Sequence, residues 1–270
     1  MAQPGRPGPE ALRISPSELG HMAAAADMIR SCRSRGVLRD IAAEEAVAEW
    51  RRYPEGEVYD PRTHVQYFFH AHPAGERAPR EHGHFHLFMR AEGMPAGITP
   101  LLLPEIAVAD APIRPPQAAP LKRGSRDEVS HIVAIAVDDQ GEPIRLFTTN
   151  RWVTGETWYP AKDVIGMLDR FHIEDGTPPV AANRWLAALL GLYRPQIAAL
   201  LRSRDEAVMA WRRRRRTHVF EDPRLEITSS LEVELDAQLA FVDAARARSS
   251  ADPRPGLPRM AEGWGEDGPV

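Results

Sequence analysis

Six of the ten histidines of this 270-residue chain fall between His64 and His86. They stand in two runs, His64-Val-Gln-Tyr-Phe-Phe-His70-Ala-His72 and His82-Gly-His84-Phe-His86-Leu-Phe-Met-Arg90, separated by a stretch that holds Pro73, Gly75 and Pro79. Aromatic and β-branched residues fill both runs, so the pattern predicts two strands joined by a turn-rich connection. Because side chains alternate along a strand, His64, Gln66, Phe68, His70 and His72 share one face of the first, and His82, His84, His86 and Phe88 one face of the second. Antiparallel pairing with His72 opposite His82 would set His70 opposite His84 and gather the imidazoles on one surface. Charged imidazoles at that spacing repel by about 1 to 4 kcal/mol per pair, depending on the local dielectric. A divalent transition metal binds the neutral ring and resolves the conflict, and catalytic sites of this kind often keep one coordination position open.

The candidate ligands are therefore His70, His72, His82, His84 and His86, and the candidate ions zinc, iron, manganese or copper. Glu81 and Glu156 are placed to steer ligands or move protons, and Arg145 and Arg151 to hold an anionic substrate.

These residues need a sheet to carry them and helices to back it. His131-Ile-Val-Ala-Ile-Ala-Val137 and Ile144-Arg-Leu-Phe-Thr-Thr-Asn150, on either side of Asp138-Asp-Gln-Gly-Glu-Pro143, predict a second hairpin. Alternation puts Val133, Ile135, Val137, Ile144, Leu146 and Thr148 on one face and Ala134, Ala136, Arg145, Phe147 and Thr149 on the other. Were the second face to continue the imidazole surface, the two alanines would leave room for a ligand beside Arg145. The polar, aromatic segment from Thr148 to Tyr159 reads as a loop leaving the sheet. Helical spacing marks Leu19, Met22, Ala26 and Ile29 behind a Ser15 or Ser17 cap, a second helix through Ala43, Val47 and Trp50, and an acidic loop from Glu55 to Asp60. Later helices are marked by Val164, Met167 and Leu168, by Trp185 to Leu190, by Ile197 to Trp211, and by Leu235, Leu239 and Val242 in a last helix from about Ser230.

The expected fold class is α+β: an antiparallel sheet of about four strands, with N-terminal and C-terminal helices packed on one face. Residues 1–14 and 248–270, rich in proline and glycine, are expected to be disordered, which leaves 15–247 as one domain. The proline-studded passage 91–126 reads as surface chain or as a lid over the histidines.

Composition narrows the function. A 43% hydrophobic content is ordinary for a globular protein, and there is no eighteen-residue apolar run to span a membrane. The N-terminus lacks the apolar core of a secretory signal, so a cytoplasmic location is expected. Cys32 is the only cysteine, which rules out an internal disulfide or a cysteine-held cluster within one chain. A net charge of -4 gives no reason to expect nucleic acid, and Arg212 to Arg216, the one basic run, reads as a solvated helix end.

The stretch His82-Gly-His84-Phe-His86-Leu-Phe88 resembles the histidine-triad signature, with Gly83 in its first apolar slot; that resemblance implies hydrolysis or transfer of nucleoside monophosphates with His84 as the nucleophile. The His82/His84 and His84/His86 pairs also resemble the H-x-H of cupin metal sites, without the glutamate that follows it there. Across residues 50–240, with Tyr67 to Arg77, Glu81 to His86 and Leu146 to Trp158 as the recognisable stretches, the chain resembles an uncharacterised family of bacterial proteins, a resemblance that brings no activity with it. The leading expectation is a metal-dependent enzyme acting on a small, anionic ligand. The alternatives are transfer chemistry through His84 and a metal-free binding or structural module.

Overall fold

The structure, a computed structural model, describes residues 14–32, 36–42, 47–101, 103, 128–174, 176–215 and 218–251. Six strands form a single antiparallel sheet in chain order: β1 (Arg52–Tyr59), β2 (Val65–His70), β3 (Gly83–Arg90), β4 (Val129–Val137), β5 (Pro143–Thr149) and β6 (Ile227–Glu232). Among the described residues there are seven α-helices: α1 (Pro16–Cys32), α2 (Val37–Ala42), α3 (Arg151–Thr154), α4 (Ala161–Leu168), α5 (Val180–Leu192), α6 (Arg194–Arg215) and α7 (Leu235–Ala251).

The mixed α/β class and the antiparallel sheet agree with expectation, but four strands is an undercount. The two unforeseen strands are the sheet's edges. β1 contains Pro54 and Gly56 and bulges between Tyr53 and Val58, so the acidic stretch expected to loop lies within a strand, its Val58 and Tyr59 paired with Tyr67 and Gln66. β6, Ile-Thr-Ser-Ser-Leu-Glu, is mostly polar, and it holds the chain extended past Ser230, so the last helix starts only at Leu235. Edge strands bury less and tolerate proline and polar residues, which erases the alternation a sequence reading depends on. The described part of the second helix is Val37–Ala42; Ala43 lies outside the described residues, and Trp50, expected in the helix, sits in a turn with φ 64°. The tails expected to be disordered and the possible lid fall largely outside the described residues, 104–127 entirely so.

One face of the sheet is apolar. Val65, Tyr67 and Phe69 of β2, Phe85, Leu87 and Met89 of β3, Val133, Ile135 and Val137 of β4 and Leu146 of β5 join buried residues of α1, α2, α4, α5, α6 and α7 in one continuous core. Phe85 is fully buried against Tyr67, Phe69 and Trp185, with ring centroids 6.1, 5.0 and 5.8 Å away. Replacing it with alanine should cost about 3–5 kcal/mol through lost burial and the cavity left behind. The Tyr67 hydroxyl donates to Asn183 Oδ1 at 2.7 Å, tying the sheet to α5. Since Phe85 stands between His84 and His86, the packing that anchors it fixes the opposite face as well.

That opposite face is read most easily as rows running across the strands. The register places Arg52, His70, His84, Ala136, Arg145 and Glu232 side by side on β1 to β6. A second row holds Phe68, His86, Ala134, Phe147 and Ser230, and a third Gln66, Phe88 and His131. Neighbouring strands lie about 4.8 Å apart, so members of a row are within side-chain reach of one another.

Candidate metal centre

His70 and His84 face each other at the end of the β2–β3 ladder, Nε2 to Nε2 at 2.7 Å. His72 lies two residues beyond His70, past an isolated bridge between Glu49 and Ala71 that prolongs the extended chain, and its ring centroid is 4.9 Å from His70 and 5.2 Å from His84. One ring nitrogen from each of the three falls within 4.8 Å of the others, so this cluster could hold a metal ion. A tetrahedral ion with metal–nitrogen bonds of about 2.1 Å separates its ligand atoms by about 3.4 Å, a spacing these rings reach with small rotations. Gly83 permits the close approach. A Cβ there would lie 2.6 Å from the His70 carbonyl oxygen and 2.5 Å from Phe69 Cζ.

Behind the triad stands a part-buried ion pair. His84 Nδ1 is 2.7 Å from Glu81 Oε1, and Arg145 Nη2 donates to Glu81 Oε2 at 2.6 Å. Alanine at position 136, between His84 and Arg145 in the row, leaves space for the arginine to cross above the sheet, with Cζ 4.5 Å from the Phe147 ring centroid. Burial alone would raise the Glu81 pKa, but hydrogen bonds and charge from His84 and Arg145 carry it below the usual carboxylate value. Burial holds His84 below the ordinary histidine value although the Glu81 hydrogen bond pulls the other way, and burial with two imidazole neighbours and Arg52 brings His70 down to about 3. Both rings are thus neutral at pH 7, the ligand form. A carboxylate at Nδ1 fixes the His84 tautomer with its Nε2 lone pair turned to the cluster.

A second pair of imidazoles lies deeper. His86 Nδ1 and His131 Nε2 are 3.1 Å apart, and both residues are buried. Burial brings His131 to about 3 and puts His86 well below its usual value. The His131 backbone N–H donates to Glu156 Oε2 at 2.8 Å, and burial pushes the Glu156 carboxyl up to about 7 against the pull of Arg204.

The DUF6969 family, a domain of unknown function, matches residues 19–233. The chain belongs to that family. No curated protein and no solved structure matches it. The DUF6969 region runs from within α1 to just past β6, so it takes in all six strands and every residue of the triad.

Within this DUF6969 domain the structure sorts the histidines. His70, His72 and His84 converge. His86 shares their face but pairs with His131. His82 precedes the first residue of β3, where alternation no longer holds, and its ring lies along Phe69 on the apolar side, centroids 6.4 Å apart. His64 pairs with the Tyr59 hydroxyl at 2.9 Å, apart from the cluster. Glu81 and Arg145 meet behind His84, Glu156 supports His131, and Arg151 pairs with Glu221 away from the triad. His131 was missed for a definite reason: strict alternation groups it with Val133 and Ile135 on the apolar face. A β-bulge opposite Leu87 and Phe88 skips Ile132, pairs His131 with Phe88 and turns its ring to the imidazole face. Ile144 is displaced similarly, by the bulge at Ala136 and Val137, and packs with Ala134, Ala136 and Phe147 rather than with the main core.

Proposed function

We propose that this DUF6969 protein is a metal-dependent enzyme in which His70, His72 and His84 hold one divalent transition-metal ion and a small anionic substrate is presented to it. One observation carries the reading: His84 is held on one nitrogen by buried Glu81, itself paired with Arg145, while its other nitrogen faces His70 and His72. Such a carboxylate–histidine arrangement orients a ligand ring and raises its basicity. Without an ion one of the facing rings donates to the other across 2.7 Å; an ion between them would instead take a lone pair from each, with His72 as the third. A set of three neutral imidazoles suits zinc, iron or copper, and an ion there would supply Lewis acidity and, for zinc, a bound water of lowered pKa. The residues of the chain do the rest. Glu81 sets the tautomer of His84, Arg145 keeps Glu81 ionised, and Phe68 and Phe147, packed against His70 and His84, exclude water from one side.

Transfer chemistry through His84 is less well supported, because a nucleophilic imidazole needs open space in front of its reactive nitrogen, and here His70 stands 2.7 Å away. Elemental analysis of the full chain, purified without chelator or affinity tag, tests the proposal. Near one equivalent of a single transition metal, lost in His84→Ala, is the expected result. A metal-free protein that takes up no added zinc, iron, manganese or copper would overturn it.

A further inference from the structure

We propose that the exposed edge of β1 recognises the substrate of this metal centre, and that it selects a small monocarboxylate with a flat apolar body: Arg52 pairs with the carboxylate and Trp50 stacks on the body. The inference rests on the metal reading above only for what happens after binding. Arg52 stands directly opposite His70 in the register, so the two side chains are neighbours on one face. Trp50, two residues earlier, lies with its ring centroid 4.5 Å from that of His72. Each borders one metal-ligand candidate and each remains open to solvent, the Trp50 residue 58% exposed and the Arg52 side chain 57%. An open tryptophan beside an open arginine offers the two surfaces a small aromatic acid needs, a ring face and a planar pair of N–H donors.

The arginine is held in place rather than left loose. Its Cζ lies 4.2 Å from the Phe68 ring centroid, and its Nη1 pairs with Glu57. Glu57 in turn accepts from Gln66, which accepts from Arg90 at 2.6 Å. Two non-glycine residues of this edge, Trp50 with φ 64° and Glu57 with φ 63°, adopt the left-handed conformation that L side chains rarely take. Such conformations persist where the surrounding structure imposes them, and they concentrate at functional sites. Arg145 pairs with Glu81, Arg151 with Glu221 and Arg52 with Glu57, but the Arg52 side chain is far more exposed than the other two, so its remaining N–H donors face the rim. Glu57 beside Arg52 and Glu49 3.7 Å from Arg77 offset the two cations of the rim, so an anion here is held by directed N–H donors of Arg52 rather than by a positive field. A dianionic phosphate would need further cations.

Calorimetric titration of the full chain with benzoate and with acetate, zinc-loaded and metal-free, tests the assignment. Benzoate should bind more tightly than acetate. Trp50→Ala should bring benzoate down to the acetate affinity, and Arg52→Gln should weaken both by about tenfold or more, with zinc content unchanged and with partial recovery in Arg52→Lys. The proposal is overturned if benzoate does not bind either form, if Arg52→Gln leaves both affinities within about twofold, or if Trp50→Ala leaves the benzoate preference intact. Zinc uptake by the wild type and His84→Ala is scored in the same samples, so loss of the metal reading is separable: without zinc binding, the metal-free titrations still decide whether the β1 edge recognises carboxylates.

Discussion

His84 and His86 are the same residue type, two positions apart on one strand, on one face and both buried, yet their surroundings suit them to different work. His84 has a carboxylate on one nitrogen and two imidazoles converging on the other. His86 has an imidazole on Nδ1 and no acidic partner in its hydrogen-bond contacts. The difference lies in what the neighbouring strands bring to each position. Ala136 beside His84 admits Arg145 and, through it, a fixed Glu81, whereas the bulge in β4 sets His131 within reach of His86. The surroundings of the outer ring suit a ligand, and those of the inner one a packed, hydrogen-bonded element.

Metal content of paired variants breaks this contrast most sharply. His84→Ala should lose the ion or bind it more than about a hundredfold more weakly, a larger effect than removal of an outer carboxylate, while His86→Ala should keep near-stoichiometric metal when both are dialysed against the same metal buffer. Equal loss in both would erase the distinction between the two histidines. Next in size is Glu81→Gln, which keeps the shape but loses the charge and should weaken metal binding by about 10–100-fold with little change in folding. Chelator competition measures it, and an unchanged affinity would reduce Glu81 to packing.

The inner pair should show itself in stability. Without the His86 ring, His131 Nε2 stays buried and unsatisfied, which costs about 1–3 kcal/mol. In a domain of this size that is a lowering of Tm by about 2–4 °C for each kcal/mol, measured on metal-free protein to remove the ion's own contribution.

The same inner groups also set the pH dependence of that stability. The folded pKa of His131, about 3, is depressed from the ordinary 6.5, so the unfolded chain binds the extra proton and stability falls as pH drops from 6.5 toward 3. Glu156 has the opposite sign. Its folded pKa, about 7, lies above the ordinary 4.5, so its contribution is present below 4.5 and is lost as pH rises toward 7. Glu156→Gln should therefore flatten the loss between pH 4.5 and 7 and leave the acid limb in place. Denaturant midpoints taken across that range would read both limbs, and an unchanged profile would mean that Glu156 is as acidic as an exposed glutamate.

The contrast also explains how much of the site could be seen without coordinates. Two strong period-two runs gave the face shared by His70 and His84, and Ala134 and Ala136 opposite bulky neighbours gave the gap. The Glu81–His84 link could be suspected from proximity in sequence, but Arg145 had to cross from a strand more than fifty residues later to meet Glu81. What stayed hidden depends on broken periodicity. A single extra residue at Ile132 reverses the facing of His131, and proline, glycine and serine disguise β1 and β6 as loop and helix. Edge position also hid Arg52 and Trp50, since only the register shows which histidines they border.

The order of the strands in the sheet is the order in which they are made. His70, His72, Glu81 and His84 belong to one hairpin and its turn, so a nascent chain displays all three ligand rings and their carboxylate well before Arg145 or the C-terminal helices exist. An ion captured during synthesis would meet a complete but unlocked set, and the arginine of β5 would arrive afterwards as the latch. If the proposed site takes up its ion at that stage, metal supply during translation would bear on how much of the protein is loaded.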